Sequence, residues 1–187
     1  MKLKFKFFIL ILTILTFIIS VVYCGYIFFL KRAYPIEYDE YISVNSKKYN
    51  VEKELILSVI KSESNFRPDA QSNAGAIGLM QIMPDTFDWL QTHNLIEYKD
   101  VGHLKDPKTN IEYGTYLLSI LQKRYATINE VICAYNAGIG TVDRWLKDKK
   151  YSTDGKTLKS IPYPDTAAYV KNVLKSRTMY KNLYFNK

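Results

Sequence analysis

One carboxylate, at the end of an apolar helical stripe, has the setting that acid catalysis needs. Leu55, Ile56, Val59 and Ile60 recur at helical spacing, and Glu63 follows three to four residues later on the same stripe. Because an inward-facing carboxylate is costly to ionise, its pKa rises toward neutrality, which suits a general acid near pH 7. The alternative is that Glu63 lies at the frayed end of its helix and turns to water, as most helical glutamates do.

The segment after Glu63 has the composition of a helix stop followed by a loop of small residues. Pro68 disfavours helix at the residue before it. The loop that follows contains Gly75 and Gly78, and glycine allows a turn with positive φ or a close approach of the backbone to a ligand. Taken alone, the loop is weak evidence for a ligand site, because simple turn chemistry also explains its two glycines.

Four short blocks, in fixed order, resemble the soluble lytic transglycosylase family of lysozyme-like, peptidoglycan-cleaving enzymes. The blocks are Glu63-Ser64, Gly78-Leu79-Met80-Gln81, Tyr135-Asn136-Ala137-Gly138, and Asp165-Thr166 with Tyr169-Val170. The last block departs from the family pattern, because Asp165 stands where glutamate is usual. The resemblance covers roughly residues 36–187 and implies a mainly α-helical, lysozyme-like single catalytic domain.

The resemblance also implies the chemistry. The family cleaves the β-1,4 bond between N-acetylmuramic acid and N-acetylglucosamine with one glutamate, whereas ordinary glycosidases use two carboxylates. Glu63 would protonate the glycosidic oxygen and then accept the proton of the muramyl C6 hydroxyl, which closes onto C1 and leaves a 1,6-anhydro end. No water is consumed, so the enzyme would be a lyase.

By the same resemblance, six further residues are expected to contact the substrate: Ser72, Gln81, Met83, Tyr135, Asn136 and Asp165. Ser72 would bind the acetamido group, Gln81 would bind polar groups of the sugar, and Met83 would form an apolar wall that raises the pKa of Glu63. Tyr135 would donate to the muramyl residue or orient Glu63. Asn136 is expected to shape a turn, and Asp165 either supports the site or simply complements the dipole of its helix.

Other carboxylates are weak candidates for a second catalytic group. Asp69, Asp85 and Asp88 are the nearest to Glu63 in sequence. The first lies in a turn and the other two near the start of a helix, where acidic residues are expected in any case.

Helix start and stop signals organise the rest of residues 33–187. A short first helix is expected around residues 37–48 and the helix carrying Glu63 over 52–64. Further helices are predicted at 84–92, 107–125, 128–137, 140–147 and 165–180, and a loop at 94–105. Two starts have specific signals: Asp106 before a proline, and a capping box formed by Thr127 and Glu130. No segment is rich in strand signals, so a minor hairpin is the most that is expected.

The N-terminus predicts a membrane anchor. The run Phe7–Leu30 contains no charged residue and would extend roughly 36 Å as a helix, enough to cross a bilayer. A cleaved signal peptide and a lipoprotein modified at Cys24 are the alternatives, but neither a small-residue cleavage site nor a small residue before Cys24 is evident. We therefore expect a single-pass anchor over residues 1–32, a connector over 33–50 and a catalytic domain over 51–187.

The charge distribution suggests the orientation and the partners. Lys2, Lys4 and Lys6 precede the apolar run and favour a cytoplasmic N-terminus, although Lys31 and Arg32 follow it. The net charge of +8 is spread along the chain, which favours anionic membranes or wall polymers over nucleic acid. A solvated basic surface without a dedicated partner explains the charge equally well.

Cysteine and histidine are too few and too scattered for a metal centre. The chain has two cysteines and two histidines, with no metal-ligand spacing between them. We expect no disulfide, no metal and no cofactor. Two other functions remain open: a hydrolytic muramidase on the same fold, and a non-catalytic protein that only holds peptidoglycan strands.

Overall fold

Helices form the regular structure of residues 2–93 and 99–186, the part of the chain that the computed structural model describes. They are α1 (Lys2–Ala33), α2 (Asp39–Tyr49), α3 (Lys53–Glu63), α4 (Pro84–His93), α5 (Pro107–Arg124), α6 (Ile128–Ala137), α7 (Ile139–Lys147) and α8 (Pro164–Tyr180). A 3-10 helix, Val101–Lys105, precedes α5, and a π-helix, Lys181–Phe185, follows α8. The chain divides into two compact units, Met1–Pro35 and Ile36–Lys187.

The first unit is one long apolar helix. Its segment Phe5–Ala33 has 29 residues and contains an 18-residue stretch with a mean hydropathy of 2.8, a length and composition that can span a bilayer. A signal sequence near an N-terminus has the same length and composition.

The second unit is built around α3. Residues 55–60 of this helix are all buried, and α3 packs against α8 and α2, while α5 packs against α2 and α6. Enclosure on several sides explains why the middle of α3, residues 55–60, is almost continuously apolar. Glu63 is the last residue of this buried helix.

Ser64 joins the end of α3 to the loop of small residues. It is buried as the C-cap residue of α3, and its hydroxyl donates to the Leu79 carbonyl at 2.8 Å. Asn65 and Phe66 follow in the left-handed region, with φ of 50° and 64°, so the chain reverses direction directly after Glu63 and Ser64.

Asn110 of α5 fixes the other end of this loop. Its side chain donates to the carbonyls of Ile77 and Leu104 at 2.9 and 2.7 Å, and accepts from the Met80 amide at 2.7 Å. A Cβ added to Gly78 would lie 2.2 Å from the Asn110 Nδ2 atom, so only glycine fits against this side chain. Two isolated bridges, both involving Ile77, make the loop the minor hairpin that the sequence allowed.

Most of the helices predicted from start and stop signals are present in the structure. Asp106 caps α5 and accepts from the Thr109 amide at 3.0 Å, and Thr127 caps α6 as predicted. The predicted loop at 94–105 is wrong for Val101–Lys105, which forms the 3-10 helix. Its residues 94–98 lie outside the described part of the chain.

The capping box is only half formed. Glu130 is buried and accepts from the Thr127 hydroxyl and from the Leu158 amide, the latter at 2.9 Å. Glu130 therefore ties the loop after α7 to α6.

Candidate active site

Glu63 is held inside the second unit by a tyrosine of α8. The carboxylate is half-buried, and the Tyr169 hydroxyl donates to its Oε1 atom at 2.6 Å. Burial raises the pKa of Glu63 to about 7, against the opposing effect of the Tyr169 hydrogen bond, which lowers it. In the structure, Glu63 therefore faces inward and does not turn to water at a frayed helix end.

Tyr169 reaches Glu63 because α8 packs along α3. Burial, together with the negative charge of Glu63, raises the pKa of Tyr169 well above its ordinary value. The hydroxyl therefore stays protonated and can donate throughout the physiological pH range. Tyr169 stands in the fourth sequence block, but nothing in the spacing shows which side chain of α8 faces Glu63, so no role was predicted for it.

Tyr135 is the third member of the same cluster. It lies in the last turn of α6, and its hydroxyl donates to the Met80 carbonyl at 2.8 Å. Burial and the charge of Glu63 raise its pKa well above the ordinary value. Glu63, Tyr135 and Tyr169 are therefore close enough to influence one another's ionisation, and the Tyr135 hydroxyl also braces the loop.

Ser72 and Gln81, two predicted contacts, stabilise the small-residue loop in this structure. The Ser72 hydroxyl oxygen accepts from the Ala76 amide at 3.0 Å. The Gln81 side-chain amide donates to the carbonyls of Ala70 and Gly78 at 3.1 and 3.0 Å. Both residues are partly exposed.

The other three predicted contacts are more exposed. Met83 precedes α4 with 38% of its surface exposed, and Asp165 is exposed in the first turn of α8. Asn136 is exposed, and its Oδ1 accepts from the Thr166 hydroxyl at 2.8 Å. Thr166 and not Asp165 is thus the buried start of the fourth block, and it joins α8 to α6.

Asp69, Asp85 and Asp88 are all exposed. The described residues contain no cluster of three or more histidine, cysteine, aspartate or glutamate side chains that is able to hold a metal ion. Glu63 is the carboxylate whose charge raises the pKa of both Tyr135 and Tyr169.

Comparisons with known proteins identify the family of this chain. The sequence profile of the family described as Transglycosylase SLT domain matches residues 40–158. The soluble lytic murein transglycosylase of Salmonella typhimurium is 31% identical over 157 residues, which cover 82% of this chain and 24% of that protein. The membrane-bound lytic murein transglycosylase C of Serratia proteamaculans is 38% identical over 124 residues, which cover 61% of this chain and 34% of that protein.

Solved structures give the same fold. The 70-kDa soluble lytic transglycosylase of Escherichia coli superposes with a TM-score of 0.75 at 29% identity, covering 84% of this chain and 26% of that chain. The 70-kDa soluble lytic transglycosylase in complex with bulgecin A gives a TM-score of 0.76 over the same shares.

The fold is the mainly helical, lysozyme-like domain that the sequence predicted, and its site is a half-buried glutamate beside two tyrosines. The chain belongs to the transglycosylase SLT domain family. It spans about a quarter of the length of the first curated relatives that it matches, 24% in the Salmonella protein.

Proposed function

We propose that this protein is a membrane-anchored peptidoglycan lytic transglycosylase. The observation that carries the proposal is the environment of Glu63. Burial raises the pKa of this half-buried carboxylate to about 7, and the Tyr169 hydroxyl donates a hydrogen bond to one of its oxygens. Such a group is protonated often enough near neutral pH to act as an acid, and its conjugate base is still able to accept a proton. Family membership supplies the substrate class, the glycan strands of peptidoglycan.

In the first step, Glu63 donates its proton to the oxygen of the β-1,4 bond between N-acetylmuramic acid and N-acetylglucosamine. The bond from C1 of the muramyl residue to that oxygen breaks, and the N-acetylglucosamine end leaves as an alcohol. Glu63 is now a carboxylate, and the hydrogen bond from Tyr169 favours that charged form. The substrate's own acetamido group can stabilise the positive charge at C1.

In the second step, the Glu63 carboxylate accepts the proton of the muramyl C6 hydroxyl. The C6 oxygen bonds to C1, which forms the 1,6-anhydro ring and restores protonated Glu63. One carboxylate suffices because the two proton transfers are consecutive and opposite. Ser72, Gln81, Met83, Tyr135, Asn136 and Asp165 remain the residues that we propose as substrate contacts.

The membrane assignment rests on α1 and on the membrane-bound relative. We propose that residues 1–32 anchor the protein in the cell membrane in a single pass and that the catalytic domain lies on the cell-wall side. The three N-terminal lysines and the extracytoplasmic location of the substrate favour this orientation.

The test is a digest of purified peptidoglycan with the full chain in a non-ionic detergent, followed by mass spectrometry of the products. Fragments one water lighter than reducing-end muropeptides are expected, because the anhydro ring forms without hydrolysis. Ordinary reducing ends would instead indicate a hydrolytic muramidase. Folded protein that binds the wall without releasing fragments would indicate a protein that only holds glycan strands.

A further inference from the structure

A basic cleft lies apart from the residues assigned to the active site. It is bordered by the end of α5, by α7 and by the loop after α7, and its volume is about 580 Å³, within the range of ligand-binding clefts. Its charged lining side chains are four basic residues and one acid: Lys123, Arg124, Lys147, Lys156 and Asp143. None of the proposed catalytic or substrate-contacting residues lines this cleft.

The acid in the cleft is already paired. Arg124 forms an ion pair with Asp143, and the Tyr125 hydroxyl donates to the same carboxylate at 2.9 Å. The Arg124 guanidinium accordingly holds the pKa of Asp143 below its ordinary value. Asp143 is thus fully charged at neutral pH but largely compensated by Arg124.

The three lysines of the cleft are exposed and carry the remaining charge. Lys123 and Lys147 extend from two helices, and Lys156 extends from the loop. Of the ion pairs formed within residues 2–93 and 99–186, none involves these three lysines. Three positive charges facing one concave space repel each other, and an anion in that space relieves the repulsion.

The loop that carries Lys156 is held in place without a ligand. Asp154 accepts from the amides of Lys156 and Thr157, both at 2.8 Å. Further along, the Leu158 amide donates to buried Glu130 of α6 at 2.9 Å. The cleft therefore has a preformed wall, so binding need not order a flexible segment first.

We propose that this cleft binds the phosphate groups of a linear, phosphate-containing polymer. Lysine ammonium groups are compact point charges that bind phosphate by charge rather than by bidentate geometry. Because Arg124 is paired with Asp143, the three lysines supply the charge for this binding. A flexible chain can enter a concave cleft, whereas the surface of a planar membrane cannot.

Binding is tested with the full chain in non-ionic micelles and a fluorescently labelled linear polyphosphate, followed by anisotropy near physiological salt. The cleft variant carries three substitutions: Lys123→Gln, Lys147→Gln and Lys156→Gln. The matched control replaces three exposed lysines elsewhere: Lys105→Gln, Lys175→Gln and Lys181→Gln. Both variants have the same net charge, so they differ only in where the positive charge was removed.

The cleft variant is expected to bind polyphosphate at least about tenfold more weakly than the wild type, and the control within about twofold of it. Polyglutamate of matched charge tests a carboxylate ligand as the alternative and is expected to bind the wild type more weakly than polyphosphate. Equal weakening in both variants, or no binding by the wild type, would overturn the site. Equally tight binding of polyglutamate would overturn the preference for phosphate.

This inference is independent of the proposed function. Peptidoglycan cleavage measured on the same preparations is expected to be alike in the wild type and in both variants when the substrate is a glycan without phosphate. A result that contradicts polyphosphate binding while cleavage is intact therefore counts against the cleft proposal alone. Absent cleavage with intact polyphosphate binding counts against the proposed function alone.

Discussion

At the residue scale, the pKa of Glu63 follows from two opposing effects. Burial at the end of α3 destabilises its charged form, and the hydrogen bond from Tyr169 stabilises that form. The balance leaves a pKa of about 7, so both protonation states are populated near neutral pH. A purely apolar site would raise the pKa further, which would make Glu63 a weaker acid in the first, proton-donating step.

Replacement of Tyr169 removes the hydrogen bond to Glu63 and leaves the effect of burial. Because the acid step needs protonated Glu63, we expect kcat/KM of the wild type to fall as the pH rises above about 7. Tyr169→Phe removes the contact that lowers the pKa of Glu63, so this decline should move to higher pH. The maximal rate should drop roughly 10- to 100-fold, the range set by a hydrogen bond to a charged group. The measurement is a pH–rate profile of each protein.

Tyr163→Phe is the matched control, because Tyr163 is an exposed tyrosine at the start of α8. Its pH–rate profile should coincide with that of the wild type. A Tyr169→Phe profile that is lower but unshifted in pH would mean that Tyr169 only supports the fold, and it would contradict a direct effect on Glu63.

Glu63 should also make stability depend on pH. Its folded-state pKa lies above the ordinary value of 4.5, so the folded state holds the proton more tightly than the unfolded state. The corresponding stability is fully present below pH 4.5 and is lost as the pH rises through about 7. Glu63→Gln cannot ionise and keeps an oxygen for Tyr169, so it should not show this loss.

Denaturation of the full chain in detergent at several pH values checks this expectation. Glu63→Gln should exceed the wild type by roughly 3 kcal/mol at pH 8 to 9 and match it near pH 4. A difference between the two proteins that stays constant across this range would show that Glu63 has an ordinary pKa.

At the scale of elements, the loop of small residues depends on its neighbours for its shape. It is joined to α3 through Ser64, to α5 through Asn110 and to α6 through Tyr135. Inside the loop, two isolated bridges and the side-chain hydrogen bonds of Ser72 and Gln81 add further support. The conformation of the loop, and with it the position of Gln81, is thus set by these internal bonds together with the contacts to three helices.

Asn110→Ala should release one of these attachments. It leaves the Met80 amide and two carbonyls without their buried partner, and each such loss costs about 1–3 kcal/mol unless water replaces it. We expect a loss of at least roughly 3 kcal/mol in the free energy of unfolding, measured by chemical denaturation. Asn172→Ala, at an exposed position of α8, is the control and should stay within about 0.5 kcal/mol of the wild type. Equal effects of the two substitutions would mean that Asn110 does not hold the loop.

The elements themselves were largely predictable from the sequence, because their signals are local. Proline after Asp106, the cap at Thr127 and the stop at Gly138 each specify backbone geometry within a few residues. The assembly of the site was less accessible. Tyr169 lies 106 positions from Glu63, and only the packing of α8 on α3 brings its hydroxyl to the carboxylate.

The features that the sequence did not predict are those without a local signal. Leu158 lies 28 positions from Glu130, and Ile77 and Met80 lie 33 and 30 positions from Asn110, so these hydrogen bonds have no local signal in the sequence. The 3-10 helix Val101–Lys105 was missed because such short helices are fixed by their surroundings more than by propensity.

At the scale of the whole molecule, the chain combines a short catalytic-type domain with one apolar helix. The soluble relative in Salmonella is far longer, since the match covers 24% of its length. A tether to the membrane would hold the domain near the wall. This proposal depends on the orientation of α1.

Cysteine labelling tests that orientation. In a full chain with Cys24→Ala and Cys133→Ala, we introduce Asn172→Cys on the exposed face of α8. A membrane-impermeant maleimide should label it in intact cells, whereas Lys2→Cys in the same background should be labelled only after permeabilisation. The reverse pattern would place the domain in the cytoplasm and contradict its proposed action on peptidoglycan.

The central claim is that Glu63 alone supplies the acid and then the base. The most direct test is the rate at which the full chain releases 1,6-anhydro fragments from peptidoglycan, compared with Glu63→Gln. The control is Glu54→Gln on the same helix, and co-sedimentation measures binding to the wall. We predict that Glu63→Gln still binds but cleaves at least about a thousandfold more slowly, while Glu54→Gln keeps the wild-type rate. Near-normal release of anhydro fragments by folded Glu63→Gln would contradict the account.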